Sequence, residues 1–209
     1  MTKTATKAAI EATQAKGERT RQAILDAAES LFGETDYDSI TMRDVAQHSG
    51  ALLGVVSYHF KNKKALFEAV VARRAQELNS ILAEELTRQQ VPSLQATIEA
   101  FVRPVLERST SPGWRSYIRI MAQLYYQDRW WQMQRDLFQD PTDRFTAALK
   151  RVLPNAKASS ILGLYNFVVM FTLSTSVLKS SSEEAARLPI EDQAIVAFLT
   201  GGAQALAEI

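Results

Sequence analysis

Between Thr41 and Lys63 the sequence sets hydroxyl, guanidinium, phenol, imidazole and ammonium groups around a short apolar run. Thr41, Arg43, Ser57, Tyr58, His59 and Lys63 carry the polar groups, and Leu52, Leu53, Val55 and Val56 make the run. Polar groups of this kind donate to phosphate oxygens, and apolar side chains among them can meet thymine methyls in a major groove. The chain offers little for bond-making chemistry. It has no cysteine and two histidines, His48 and His59, which excludes thiolate metal sites, disulfides and a cysteine nucleophile. Neither a phosphate loop nor a nucleophile with a plausible base appears, so no enzyme, no cofactor and no metal site is expected.

Positioning those groups takes two short helices joined by a tight turn. A small residue within the first helix, a glycine four residues on and an apolar residue six further make a helix-turn-helix pattern, and Ala46, Gly50 and Val56 fit it, supported by Val45. Thr41 three residues before Asp44 is a carboxylate variant of the capping box and predicts a helix over Met42 to His48. Ser49-Gly50-Ala51 is the turn, and a second helix spans about Leu52 to His59. Val56 and Phe60, four apart, then face the core. Leu53 and Ser57, with Leu52 and Val55, lie nearer the groove, and Tyr58, His59 and Lys63 are placed for phosphates.

Before this segment a helix from near Gly17 buries Ile24, Ala27, Ala28, Leu31 and Phe32 and ends in an acidic turn over 34–38. The polar stretch ahead of it lacks the apolar core of a secretory signal and reads as a retained tail, whose Lys16, Arg19 and Arg21 are candidates for a minor-groove arm. Residues 1–64 hold nine Lys/Arg against eight Asp/Glu, with cations in the tail and after His59, while net charge over the chain is +1.

After Lys61-Asn62 a long amphipathic helix runs from Lys63 to about Arg88. Further helices are predicted near Ser93–Ser109, Arg115–Asp128, Arg129–Phe138, Thr142–Val152, Ala156–Lys179 and Pro189–Ala207. They are separated by Pro112-Gly113, Asp140-Pro141, Pro154-Asn155 and the serines at 180–182. With 46% hydrophobic residues and no alternating strand pattern, the fold class is all-α. The apolar stretch Ile161 to Leu173 is shorter than the roughly 20 residues a spanning helix needs, so no membrane partner is expected. Neighbouring rings such as Tyr125-Tyr126 and Trp130-Trp131 point about 100° apart on a helix, so some must line a cavity, an interface or the surface. Arg115 and Arg119, one turn apart, could meet an anionic ligand, but an exposed ion-pairing face is the simpler reading. The helix around Tyr165, Phe167, Val168, Val169, Met170 and Phe171 is apolar nearly all round and suits contact with a partner subunit.

TMRDVAQHSGALLGVVSYHFKNKKALFEAV resembles the DNA-binding segment of the tetracycline-repressor (TetR/AcrR) family, whose pattern is a T-x-R-x-(I/V)-A entry, an (A/S)-G turn and a Y-x-F-x-x-K-x-x-L exit. Thr41, Arg43, Val45, Ala46, Ser49, Gly50, Tyr58, Phe60, Lys63 and Leu66 carry it here. Leu52 stands where Ser or Thr is commoner. The resemblance implies a tail over 1–17, a DNA-binding domain over 18–62 and an effector-binding and dimerisation domain over 63–209. It implies a cytoplasmic homodimer, most often a repressor, that binds a near-palindromic duplex operator through Thr41, Arg43, Leu52, Leu53, Val55, Ser57, Tyr58, His59 and Lys63. A small, apolar or aromatic effector would release it from a pocket formed by Trp114, Tyr117, Met121, Tyr125, Trp130, Met133, Phe138, Tyr165 and Met170. The alternative is an architectural or protein-interaction module of the same fold with no small effector.

Overall fold

The structure, a computed structural model, describes residues 2–89, 91–180 and 191–207. Among the described residues there is no strand, and the chain is all-α. It divides into two compact units, Met1–Val71 and Ala72–Ile209.

In the first unit α1 (Thr2–Glu34) packs on α2 (Met42–Ser49) and α3 (Leu53–His59), and α4 (Lys63–Thr87) begins there. α1 starts at Thr2 rather than near Gly17, so the stretch expected as a tail is helical. Its alanines and lysines favour the helix by propensity, residues 11–23 are exposed or half-buried, and Ile24, Leu25, Ala27, Ala28 and Phe32 are buried. Phe32 stands edge-on to Phe67 of α4 with ring centres 4.9 Å apart. Val45, Val56, Phe60 and Leu66 complete this small core.

The second unit is built around α8 (Ala158–Ser180), which packs against α5 (Leu94–Ser109), α6 (Pro112–Tyr125), α7 (Trp131–Val152) and α9 (Asp192–Ala207). α8 is long and apolar enough to cross a membrane by length and composition. It buries Ile161, Leu164, Val168, Thr172 and Leu173 in the bundle. Pro112, read as punctuation, opens α6 at its first turn, where its missing N–H costs no hydrogen bond. Ser181, Ser182, Pro189 and Ile190, which fall in the expected turn and last helix, lie outside the described residues.

The expected break at Asp140-Pro141 does not occur: α7 runs through it from Trp131 to Val152. A proline inside a helix removes the hydrogen bond to the carbonyl four residues back, here that of Leu137. Asn79 of α4 supplies the missing donor, its Nδ2 lying 2.8 Å from Leu137 O. Sequence periodicity cannot see a donor 58 residues away. Asn79→Ala is expected to lower the stability of this unit by about 1–3 kcal/mol, the cost of an unmade hydrogen bond at a partly buried carbonyl. An unchanged thermal melt would mean that Leu137 O has another donor.

Candidate functional site

The turn between α2 and α3 is fixed from both sides. Thr41 caps α2: its Oγ1 accepts from Asp44 N at 3.2 Å, and its own N–H and Oγ1–H donate to Asp44 Oδ2 at 2.8 and 2.7 Å. These bonds, from the Thr41 side chain first and its backbone second, hold the Asp44 carboxyl below the usual carboxylate range. The cap is therefore fully made above the ordinary carboxylate pKa and is lost as pH falls through the lowered value. At the other end Gly50 adopts φ 69°, the left-handed conformation that glycine enters without strain. α3 follows with a single buried residue, Val56.

That arrangement turns the outer side of α3 to solvent. Leu52 is 78% exposed, Tyr58 is 85% exposed, and Leu53, Gly54, Ser57 and Arg43 are exposed with them. Val55 and His59 are half-buried, and the His59 ring stands edge-on to Tyr58 at 5.3 Å. Leu52 caps α3 without a side-chain bond, as expected where Ser or Thr is replaced.

Lys63 differs from its expected role. Its Nζ donates to the carbonyls of Tyr37, Asp38 and Ile40 at 2.9, 3.3 and 2.8 Å and lies 4.3 Å from the Tyr37 ring centre. All three ammonium donors are thus spent on the loop before α2, and Lys63 is a clamp that holds the start of α4 to that loop. Arg21 is likewise half-buried, 5.3 Å above the Phe60 ring, and is not part of a free arm; Lys16 and Arg19 are exposed on α1. Sequence reasoning also missed Asn62, whose Oδ1 accepts from Ala65 N at 2.9 Å and caps α4. An Asn just ahead of a periodic run is the signal that marks it.

The second unit holds a cavity of about 280 Å³ that is partly open to solvent. Of the nine residues expected in a pocket, Met121, Tyr125, Phe138 and Tyr165 are on its wall. The others lie elsewhere. Trp114 is buried between the guanidinium groups of Arg74 and Arg108, at 5.1 and 5.4 Å, with the fully buried Tyr117 edge-on to it. Trp130 is buried with its N–H donated to Gln127, Met133 is half-buried, and Met170 is on the exposed side of α8. The 100° step between neighbours sorts each aromatic pair. Trp131 and Tyr125 reach the cavity, whereas Trp130 enters the core and Tyr126 turns outward to Ser174. Trp131, named in the sequence only as one of a diverging ring pair, is on the wall, and so are Gln134, Thr142, Asn166 and Thr172, which the sequence did not single out.

The wall carries no Asp or Glu, and Arg135 is its one charged residue, with Cζ 4.5 Å from the Trp131 ring centre. Burial, with Tyr165 and then Tyr126 nearby, raises the Tyr125 phenol above its ordinary pKa; burial does the same for Tyr165. Both stay neutral near pH 7 and add no negative charge. Arg115 is exposed, but Arg119 donates from Nε to Ser180 Oγ at 3.1 Å. Among the described residues no cluster of His, Asp or Glu could hold a metal.

A capped helix, a left-handed glycine and a short second helix with a solvent-facing outer side define a helix-turn-helix protein. Residues 24–70 match the bacterial regulatory proteins of the tetR family, and residues 99–202 match the tetracyclin repressor-like C-terminal domain. The chain belongs to the tetracycline-repressor family, whose role is regulatory and not enzymatic. It is 30% identical over 109 residues to the HTH-type transcriptional regulator SrpR of Pseudomonas putida, covering 52% of this chain and 48% of that one. It is 34% identical over 61 residues to the HTH-type transcriptional repressor BepR of Brucella suis, covering 29% of each chain. The match thus spans less than half the length of these two relatives. The fatty acid degradation regulator FadR of Bacillus halodurans shares the fold, with a TM-score of 0.67 at 9% identity over 90% of this chain and 94% of that one.

Proposed function

We propose that this protein is a ligand-responsive transcriptional regulator, most simply a repressor, acting in the cytoplasm as a homodimer on a near-palindromic operator. The observation that carries the reading is α3: Val56 alone is buried and anchors it, and Leu53, Gly54, Ser57 and Tyr58 are exposed on its outer side after the Gly50 turn. A helix presented this way enters a major groove, with Leu53 and Ser57 meeting base edges and Arg43, Tyr58 and His59 meeting phosphates.

Two features support the rest. The exposed Leu162, Phe167 and Met170 of α8 and Phe198 of α9 form an apolar face suited to a second copy of the chain, with Phe171 and Phe198 stacked 5.0 Å apart. The cavity supports an effector: Leu78 and Leu82 of α4 line it, and the first residues of that helix belong to the DNA-binding unit. A ligand that fits the cavity better in one position of α4 than in another shifts the balance between DNA-bound and free forms.

A binding titration on several duplexes tests the assignment of the α3 surface. Tyr58→Ala is expected to weaken all duplexes alike, whereas Leu53→Ala and Ser57→Ala change the ranking among them. The reverse pattern refutes the face assigned to base reading.

A further inference from the structure

We propose that the cavity takes a neutral aromatic molecule bearing one hydrogen-bonding group, and that the Thr172 hydroxyl of α8 pairs with that group. This deepens, and rests on, the reading of the cavity as an effector site.

The polar groups of the wall are mostly engaged within the protein. Gln134 donates to Leu124 O, Gln139 donates to Asp143 at 2.8 Å, and Tyr125 donates to Asn166 O at 3.4 Å. Thr142 donates to Phe138 O at 2.6 Å, and its hydroxyl lies 2.8 Å from that of Tyr165. Thr172 is the buried exception: it lines the cavity, is 2% exposed, and its Oγ1 has no partner, whereas Asn166 and Trp131 are exposed.

Helical threonines have an easy way out of that situation, since the hydroxyl can donate to the carbonyl one turn back. Thr20, Thr87, Thr142, Thr146, Thr175 and Thr200 all do so, at 2.6 to 3.0 Å. Thr172 does not. That oxygen is closed off from water in the ligand-free protein, and a buried hydroxyl left unpaired is unfavourable, so a ligand that parts the side chains packed over it gains the pairing.

The rest of the wall sets the class of ligand. Phe101, Tyr125, Trp131, Phe138 and Tyr165 supply aromatic surface. With no carboxylate on the wall and a guanidinium at Arg135, a cation would lose its hydration without gaining a counter-charge. Arg135 is already engaged, donating to Gln132 Oε1 at 3.1 Å and lying over the Trp131 ring, so the wall suits a neutral ring system with one hydroxyl or carbonyl.

The test is calorimetric titration of the full chain with three probes of one shape: 1-naphthol, naphthalene and 1-naphthylmethylammonium. We expect 1-naphthol to bind at least about ten-fold more tightly than the ammonium. In Thr172→Val, which keeps the shape and loses the hydroxyl, 1-naphthol is expected to weaken about 3- to 10-fold while naphthalene stays within about two-fold. Thr172→Val removes an unpaired group, so its melting temperature should hold or rise. Ser176→Ala, which removes the fully buried and unpaired hydroxyl one turn further along α8 but off the cavity wall, should leave all three probes unchanged. Equal or tighter binding of the ammonium, unchanged 1-naphthol binding by Thr172→Val, or no binding by any probe overturns the proposal. Release of DNA is scored separately. Thr172-dependent binding without release leaves the site in place and removes the effector reading; release by the ammonium alone does the opposite.

Discussion

Val56→Asp is expected to abolish DNA binding while the cavity-bearing unit stays folded. Val56 is fully buried and is the only core residue α3 supplies; its carbonyl also accepts from Phe60 N at 2.8 Å. A carboxylate there finds no partner among Val45, Phe60 and Leu66, and taking it out of water costs about 4 kcal/mol or more. The unit that must absorb this ends at Val71. A domain of that size holds only a few kcal/mol in reserve. Circular dichroism should show the transition of the first unit lost and that of the second retained, and duplex binding should vanish. A variant with both transitions intact and normal binding would mean that Val56 is not the anchor of α3.

Lys63→Met is expected to destabilise the same unit by about 3 kcal/mol without changing how DNA affinity depends on salt. Its three hydrogen bonds hold the carbonyls of Tyr37, Asp38 and Ile40, and hydrogen bonds from a charged donor are worth about 1.5–3 kcal/mol each, though not additively. The methionine keeps the apolar stem and removes the donors. Were Lys63 instead a phosphate contact, its loss would release fewer counterions and flatten the slope of log affinity against log salt by about 0.9 per protomer. Affinity measured at several salt concentrations, alongside the melt, separates the two roles. A flattened slope with an unchanged melt contradicts the clamp.

Local chemistry made the helix-turn-helix legible in the sequence. The cap from Thr41 to Asp44, the glycine turn and the inward Val56 and Phe60 each follow from spacing within a few residues, and the structure has all of them. What sequence spacing misplaced depends on distant partners. The carbonyls that hold Lys63 lie 23 to 26 residues earlier in the chain. α7 continues through Pro141 because Asn79 replaces the lost donor. The cavity wall was half legible for a related reason. Helical periodicity makes adjacent rings diverge, yet which of Trp130 and Trp131 faces inward depends on where the preceding turn over 128–130 sets the start of α7. Thr172 gave no signal, since a threonine in an apolar helix ordinarily bonds to its own backbone.

The most direct test of the regulator reading is retention of sheared genomic DNA from the source organism on the purified protein at two salt concentrations, with sequencing of the retained fragments. A sequence-reading α3 presented twice by a dimer predicts a few inverted-repeat sites that survive the higher salt. Diffuse retention that disappears with salt would contradict it, leaving a protein that binds the DNA backbone without reading sequence.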